Sequence, residues 1–151
     1  NSKIDTNNPH RLIRAIEQAQ RGINPTKTKP DFEVLQIGVD LPRETLYRRI
    51  DKRVDDRFEK EEMLEEVEGL LSDGVSPKWL TSLGLEYKII SNYLTQKTKD
   101  EKVFEEMKQE LKYKSHAFAR RQLTWYRRFP QIKWVTSSSE ASRIVDNYLQ
   151  K

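Results

Sequence analysis

Four apolar side chains, Leu46, Ile50, Val54 and Phe58, recur at every fourth position through RETLYRRIDKRVDDRF. That spacing stacks them on one face of a helix and turns the charged residues between them outward. A shorter version of the period, Leu12, Ile13 and Ile16, runs through NNPHRLIRAIEQAQRG, with Asn and Pro at its start and Gly22 at its stop. MLEEVEGLLSDG predicts a helix ending at Gly74, and SPKWLTSLGLEYKIISNYL predicts two short ones. Residues 100–129 predict one long helix with Phe104, Met107, Leu111, Phe118 and Trp125 on one face, stopped by Pro130. Phe118, Trp125 and Phe129 are expected in the core as the continuation of that stripe. A period of two appears only in FEVLQIGVDL and briefly in IKWVTS. In the first, a change of phase between Val34 and Leu35 predicts a strand buried on both faces. SSEASRIVDNYLQK predicts a terminal helix whose cap comes from the run Ser137, Ser138 and Ser139.

Two short strands among so many helices do not make a stable sheet by themselves. The expected fold class is therefore an α/β fragment, mostly α-helical, the back half of a larger α/β protein. Composition adds three limits. A length of 151 residues suits one domain with a real core, and near-equal charged (34%) and apolar (35%) shares demand an ionic surface over an economical interior. With no cysteine there is neither a disulfide framework nor a thiolate metal site. No apolar run of about 18 residues and no apolar signal region at the start are visible, so the expected location is the cytoplasm, without a membrane.

The net charge of +4 is modest, but its distribution is not even. Residues 59–68 hold six acids, whereas residues 112–133 hold seven Lys or Arg and no acid. Segregated positive charge is the footprint of a phosphate-binding face. No glycine begins a G-x-x-x-x-G-K-[ST] phosphate loop, two histidines are too few for a His-rich metal centre, and Ser137, Ser138 and Ser139 stand next to no histidine at motif spacing. No self-contained active site can be assembled. Arginines carry the stronger signal. Arg49, Arg53 and Arg57, four apart, line a helix flank beside the Leu46, Ile50 and Val54 stripe. Either Asp51, Asp55 and Asp56 pair with them on the surface, or they hold a diphosphate through bidentate hydrogen bonds. In HAFARRQLTWYRRFPQIKW, the guanidiniums of Arg120, Arg121, Arg127 and Arg128 flank the aromatic stripe, with Gln122 and Thr124 beside them. Such residues position a phosphate backbone and can bond unpaired bases of RNA. Arg11 and Arg14 form a second small basic site.

The blocks NNPHRLIRAIE, IGVDLPRETLYRRIDKRVDDRF, LEEVEGLL, SLGLEYK and ARRQLTWYRR followed by IKW occur in this order across nearly the whole chain. Together they resemble the C-terminal half of the bacterial tRNA dimethylallyltransferases. The resemblance implies a P-loop NTPase-like α/β core with a helical insertion. Residues 1–24 would be the end of the insertion and residues 31–151 the C-terminal part of the core. It implies transfer of a dimethylallyl group from dimethylallyl diphosphate to N6 of the adenosine 3′ of the anticodon, with Mg²⁺ assisting, by a monomer. The family's phosphate loop, general-base Asp and adjacent Thr belong to an N-terminal half outside this sequence, so the chain alone is expected to be inactive.

Carried over residue by residue, the resemblance gives Arg53 the diphosphate. It gives the anticodon stem-loop of tRNA to His10, Arg11 and Arg14, to Lys78 and Ser82 within 78–83, and to Ser115, His116, Arg120, Arg121 and Gln122 within 115–122. KEEM stands where the family has a Gly before LEEVEGLL, which predicts a helix that runs on or bulges. Glu86 replaces a Gly before Tyr87, His116 and Ala117 replace residues that are commonly basic, and Phe118 replaces a common Tyr. A non-catalytic helical RNA-binding or interaction module on the same scaffold is the alternative function class.

Overall fold

The computed structural model describes residues 7–22 and 31–150, which fall into two units divided between Val34 and Leu35. The connector over 23–30 lies outside the described residues. In the first unit, α1 (Pro9–Gln20) begins as expected: the Asn8 side chain accepts from the N–H groups of His10 and Arg11 at 3.1 and 3.3 Å, and Pro9 occupies the first turn.

The second unit runs β1 (Ile37–Val39), α2 (Arg43–Glu59), α3 (Met63–Ser72), α4 (Pro77–Leu83), α5 (Leu85–Leu94), α6 (Glu101–Tyr126), β2 (Lys133–Val135) and α7 (Ser138–Leu149). Side chains set the helix starts: Asp100 accepts from the Val103 N–H (2.9 Å), Ser76 from Trp79 (3.2 Å) and Ser137 from Glu140 (3.3 Å). Each cap satisfies a backbone donor that the first turn leaves unpaired. The core gathers Val54 of α2, Met63 and Val67 of α3, Leu80 of α4, Ile89, Ile90 and Tyr93 of α5, and Met107 and Leu111 of α6. Full burial of each aliphatic side chain contributes roughly 1.5–3 kcal/mol. Phe58 closes this cluster edge-on against Phe104, with ring centroids 5.6 Å apart.

Two departures from the family pattern are accommodated locally. The helix does not run on through KEEM. Instead Glu62 turns into the left-handed region (φ 50°), the only residue other than glycine to do so among those described, and α3 starts at the next position. Glu86, where a glycine was expected, forms an ion pair with Arg57 of α2 and so ties α5 to α2.

The strands β1 and β2 are parallel, with Gly38 opposite Trp134, and the ladder ends where the Asp40 N–H donates to the Val135 carbonyl at 2.9 Å. Gly38 is required by packing, because a Cβ there would fall 2.7 Å from the Trp134 ring and 2.9 Å from Ile132. The long strand expected from FEVLQIGVDL is confined to three residues, and Phe32, Val34 and Val39 are exposed rather than buried on both faces. Pairing extends only as far as the partner, and β2 is itself stopped by the cap of α7.

Candidate RNA and anion interface

On α2 the flank of arginines forms as spaced, but the acids expected to neutralise it are taken elsewhere. Asp51 and Asp55, one turn apart, face α6: Asp51 Oδ1 lies 2.7 Å from His116 Nε2, and Asp55 Oδ1 lies 2.7 and 3.5 Å from Lys112 and Lys108. Asp56 is hydrogen-bonded to Lys52 and Lys60, which hold its carboxyl below the usual range and raise Lys60 in return. Arg57 goes to Glu86 and, at 4.0 Å, to Glu61. Arg49 and Arg53 are exposed and have no carboxylate partner among the described residues. Surface pairing with Asp51, Asp55 and Asp56 is thereby corrected: Asp51 and Asp55, two or six residues from these arginines, face α6, and Asp56, three residues after Arg53, is held by Lys52 and Lys60 instead.

The candidate residues of α6 divide between two faces. His116 and Arg120, one turn apart, turn toward α2. The His116 ring stacks on Tyr47 with centroids 4.0 Å apart and planes within 6°, and its side chain is only 12% exposed. Asp51 Oδ1 and His116 Nε2 are both buried, and apart from their mutual contact neither has a polar partner among the described residues. This ring is occupied by the α2–α6 seam. Arg120 Nη1 donates to the Tyr47 hydroxyl at 2.8 Å.

Arg121 and Gln122 lie three and four residues beyond Phe118, on another, exposed face, with Ser115 half-buried behind them. Phe118 and Trp125 are 52% and 55% exposed, so their expected place in the core is wrong; Phe129 is half-buried. The guanidinium of Arg121 lies over the Phe118 ring at 5.8 Å and that of Arg128 over Trp125 at 5.5 Å. Cation and ring alternate along this face, a pattern suited to unstacked bases and backbone phosphate. Behind it, Ile37, Leu46, Leu123, Tyr126, Phe129 and Trp134 line an apolar concavity of about 710 Å³ between the sheet and the end of α6.

Lys78 and Ser82 stand exposed on α4, where the Ser82 hydroxyl donates to the Trp79 carbonyl at 2.6 Å. Trp79, also exposed, was not singled out from the sequence. In the first unit His10, Arg11 and Arg14 are exposed, and Arg14 pairs with Glu17 at 3.4 Å. Among the described residues no three His, Asp or Glu converge. No helix among them is long and apolar enough to cross a membrane.

The IPP transferase family model matches residues 1–129. The chain belongs to that family. Among relatives of the IPP transferase group, it is 37% identical over 141 residues to a tRNA dimethylallyltransferase of Pelotomaculum thermopropionicum, covering 89% of this chain and 43% of the relative. It is 40% identical over 141 residues to tRNA dimethylallyltransferase 2 of Porphyromonas gingivalis, covering 89% and 45%. The crystal structure of the full-length tRNA isopentenylpyrophosphate transferase of Bacillus halodurans matches with a TM-score of 0.67 at 28% identity, over 95% of this chain and 45% of that one. The Staphylococcus epidermidis tRNA delta(2)-isopentenylpyrophosphate transferase matches at 0.65 and 26%, over 97% and 50%. The chain thus spans about half the length of the IPP transferases it matches.

Proposed function

We propose that this chain is the C-terminal half of a tRNA prenyltransferase that moves a dimethylallyl group from dimethylallyl diphosphate to N6 of the adenosine 3′ of the anticodon. The observation that carries the reading is α6: within a chain 36–40% identical to tRNA dimethylallyltransferases, its last turns present Arg121 and Gln122 to solvent between exposed rings. Residues 1–24 belong to the end of a helical insertion and 31–151 to a P-loop-like core whose phosphate loop lies in the other half. Mg²⁺, which would neutralise the diphosphate, is held outside the described residues of this chain. The protein acts as a cytoplasmic monomer on the anticodon stem-loop.

Within this chain Arg53 faces the donor. As the C–O bond breaks, charge grows on the leaving diphosphate, so a fixed guanidinium without a competing carboxylate helps most where the transition state differs from the ground state. His10, Arg11 and Arg14 of the first unit, and Lys78 and Ser82 of the second, are further RNA contacts.

Labelled dimethylallyl transfer to tRNA tests the reading. The protein expressed from the complete reading frame is expected to be active and the 151-residue chain alone inactive. Arg53→Ala in the complete protein should lower kcat/KM for the donor by about 10²-fold, the scale of one lost transition-state donor. Wild-type kinetics in that variant would return Arg53 to an ordinary surface residue. Activity of the isolated chain would overturn the division of labour. An inactive complete protein that still binds the stem-loop would make the chain a non-catalytic RNA module.

A further inference from the structure

A second concavity, of about 540 Å³, opens at the carboxyl ends of β1 and β2 and is lined by Arg43, Tyr47, Arg120, Thr124, Arg127 and Asp40. In parallel sheets this is the end at which ligands bind, because the loops leaving the strands diverge there. Three guanidiniums share the cleft with one carboxylate. Arg127 Nη2 lies 2.9 Å from Asp40 Oδ2, which neutralises one of them. Arg43 has no ion pair among the described residues. Arg120 is held but not neutralised: its partner at 2.8 Å is the Tyr47 phenol, which accepts one N–H and contributes no charge. Tyr47 is in turn clamped by the His116 stack, and His116 by Asp51, so the Arg120 fork is fixed from behind with its other donors free for the cleft.

We propose that this cleft binds a phosphoryl group, with Arg43 and Arg120 as its charged donors and Thr124 as a neutral one, and Tyr47 and His116 as positioning residues. Two unopposed guanidiniums beside hydroxyls match tetrahedral oxyanions, which take bidentate and single hydrogen bonds together. The proposal rests on the RNA-modifying reading above. Its phosphoryl group can come from the RNA backbone or from a diphosphate, and the two sources are separated by the probe.

The test uses the protein from the complete reading frame, with a tRNA anticodon stem-loop and inorganic pyrophosphate as separate probes. Arg43→Ala is expected to weaken stem-loop binding about tenfold and to reduce the slope of log affinity against log salt by about 0.7–0.9, the value of one lost phosphate contact. Tyr47→Phe, which keeps the stack and the fold and removes only the hydroxyl, should weaken binding a few-fold without changing that slope. If both variants instead weaken pyrophosphate alone, the cleft is a phosphoryl site and the source is the diphosphate. If neither variant alters either probe while Arg121→Ala still weakens the stem-loop, the cleft proposal fails and the RNA reading stands. If Arg121→Ala and Arg43→Ala are both silent toward RNA and pyrophosphate, both fail.

Discussion

The two ends of α6 carry the same apolar stripe at the same spacing and meet opposite fates. Phe104, Met107 and Leu111 sink into a core built by α2, α3 and α5, and Leu111 is fully buried. Phe118 and Trp125, one and two heptads further on, stand half in solvent. Nothing in the helix itself changes between them. A stripe is a local property of one segment, whereas burial needs a second surface across from it, and for the end of α6 the described residues supply a two-stranded sheet and Leu46 of α2 around an open concavity. The difference teaches that an apolar face can be written for a partner outside the segment that carries it.

Stability measurements on this chain offer the largest contrast. Leu111→Ala should cost about 2–5 kcal/mol, the range for emptying a packed aliphatic site. Phe118→Ala should stay within about 0.5 kcal/mol, as for an exposed position. Denaturant midpoints that fall equally in the two variants would mean that the stripe is covered along its whole length.

Between the two ends sits His116, and the expected effect there is smaller. Replacing it with Ala leaves Asp51 Oδ1 buried without its one polar contact, at a cost of roughly 1–3 kcal/mol. Asp51→Asn paired with His116→Ala should recover part of the loss, because the carboxylate left behind is what makes the single variant costly. An additive double variant would sink the idea of a coupled pair.

The wall that covers the first end of α6 contains a strained joint. Glu62 occupies a backbone region that disfavours a Cβ by about 1–2 kcal/mol. Glu62→Gly should therefore stabilise the chain by up to about 1 kcal/mol once the greater freedom of an unfolded glycine is counted. A destabilised variant would show that the Glu62 side chain contributes more than its backbone costs.

Much of this was legible in the sequence because helices report themselves through spacing. The α2 stripe, the stop at Gly74, the short pair α4 and α5, and the caps at Asn8 and the serine run needed no tertiary information. The strand boundaries and the rings of α6 were misjudged for one shared reason: both depend on what lies opposite. The acids of α2 failed in the same way, since the surface pairing expected of Asp51 and Asp55 ignored that, two and six residues from the arginines, they face α6 across the seam. Of the candidate site, Arg53, Arg121 and Gln122 emerged as exposed side chains, while His116 went inside. Tyr47 was missed, although its position one turn before Asp51 on α2 was a usable signal.

Charges that join α2 to the first end of α6 should also be separable from charges that only decorate α2, and pH makes the smallest of these distinctions. Asp55 is partly buried against Lys112 and Lys108, whereas Asp56 meets Lys52 and Lys60 on its own helix and in the turn just after it. Hydrogen bonds from those two ammonium groups lower the Asp56 pKa in the folded chain. A depressed folded value means that the native state releases this proton more readily than the unfolded one. Its stabilising contribution is therefore present above the unfolded value, about 3.9, and disappears as pH falls through the lower folded value. Asp56→Asn should lower stability above the unfolded value by a small and salt-sensitive amount, because the pair is exposed, and should flatten the acid limb of the stability profile. Asp55→Asn should lower stability at neutral pH by more, since it releases two lysines facing the seam. If Asp56→Asn proves the more damaging of the two at pH 7, the seam is not what holds the first end of α6 in place.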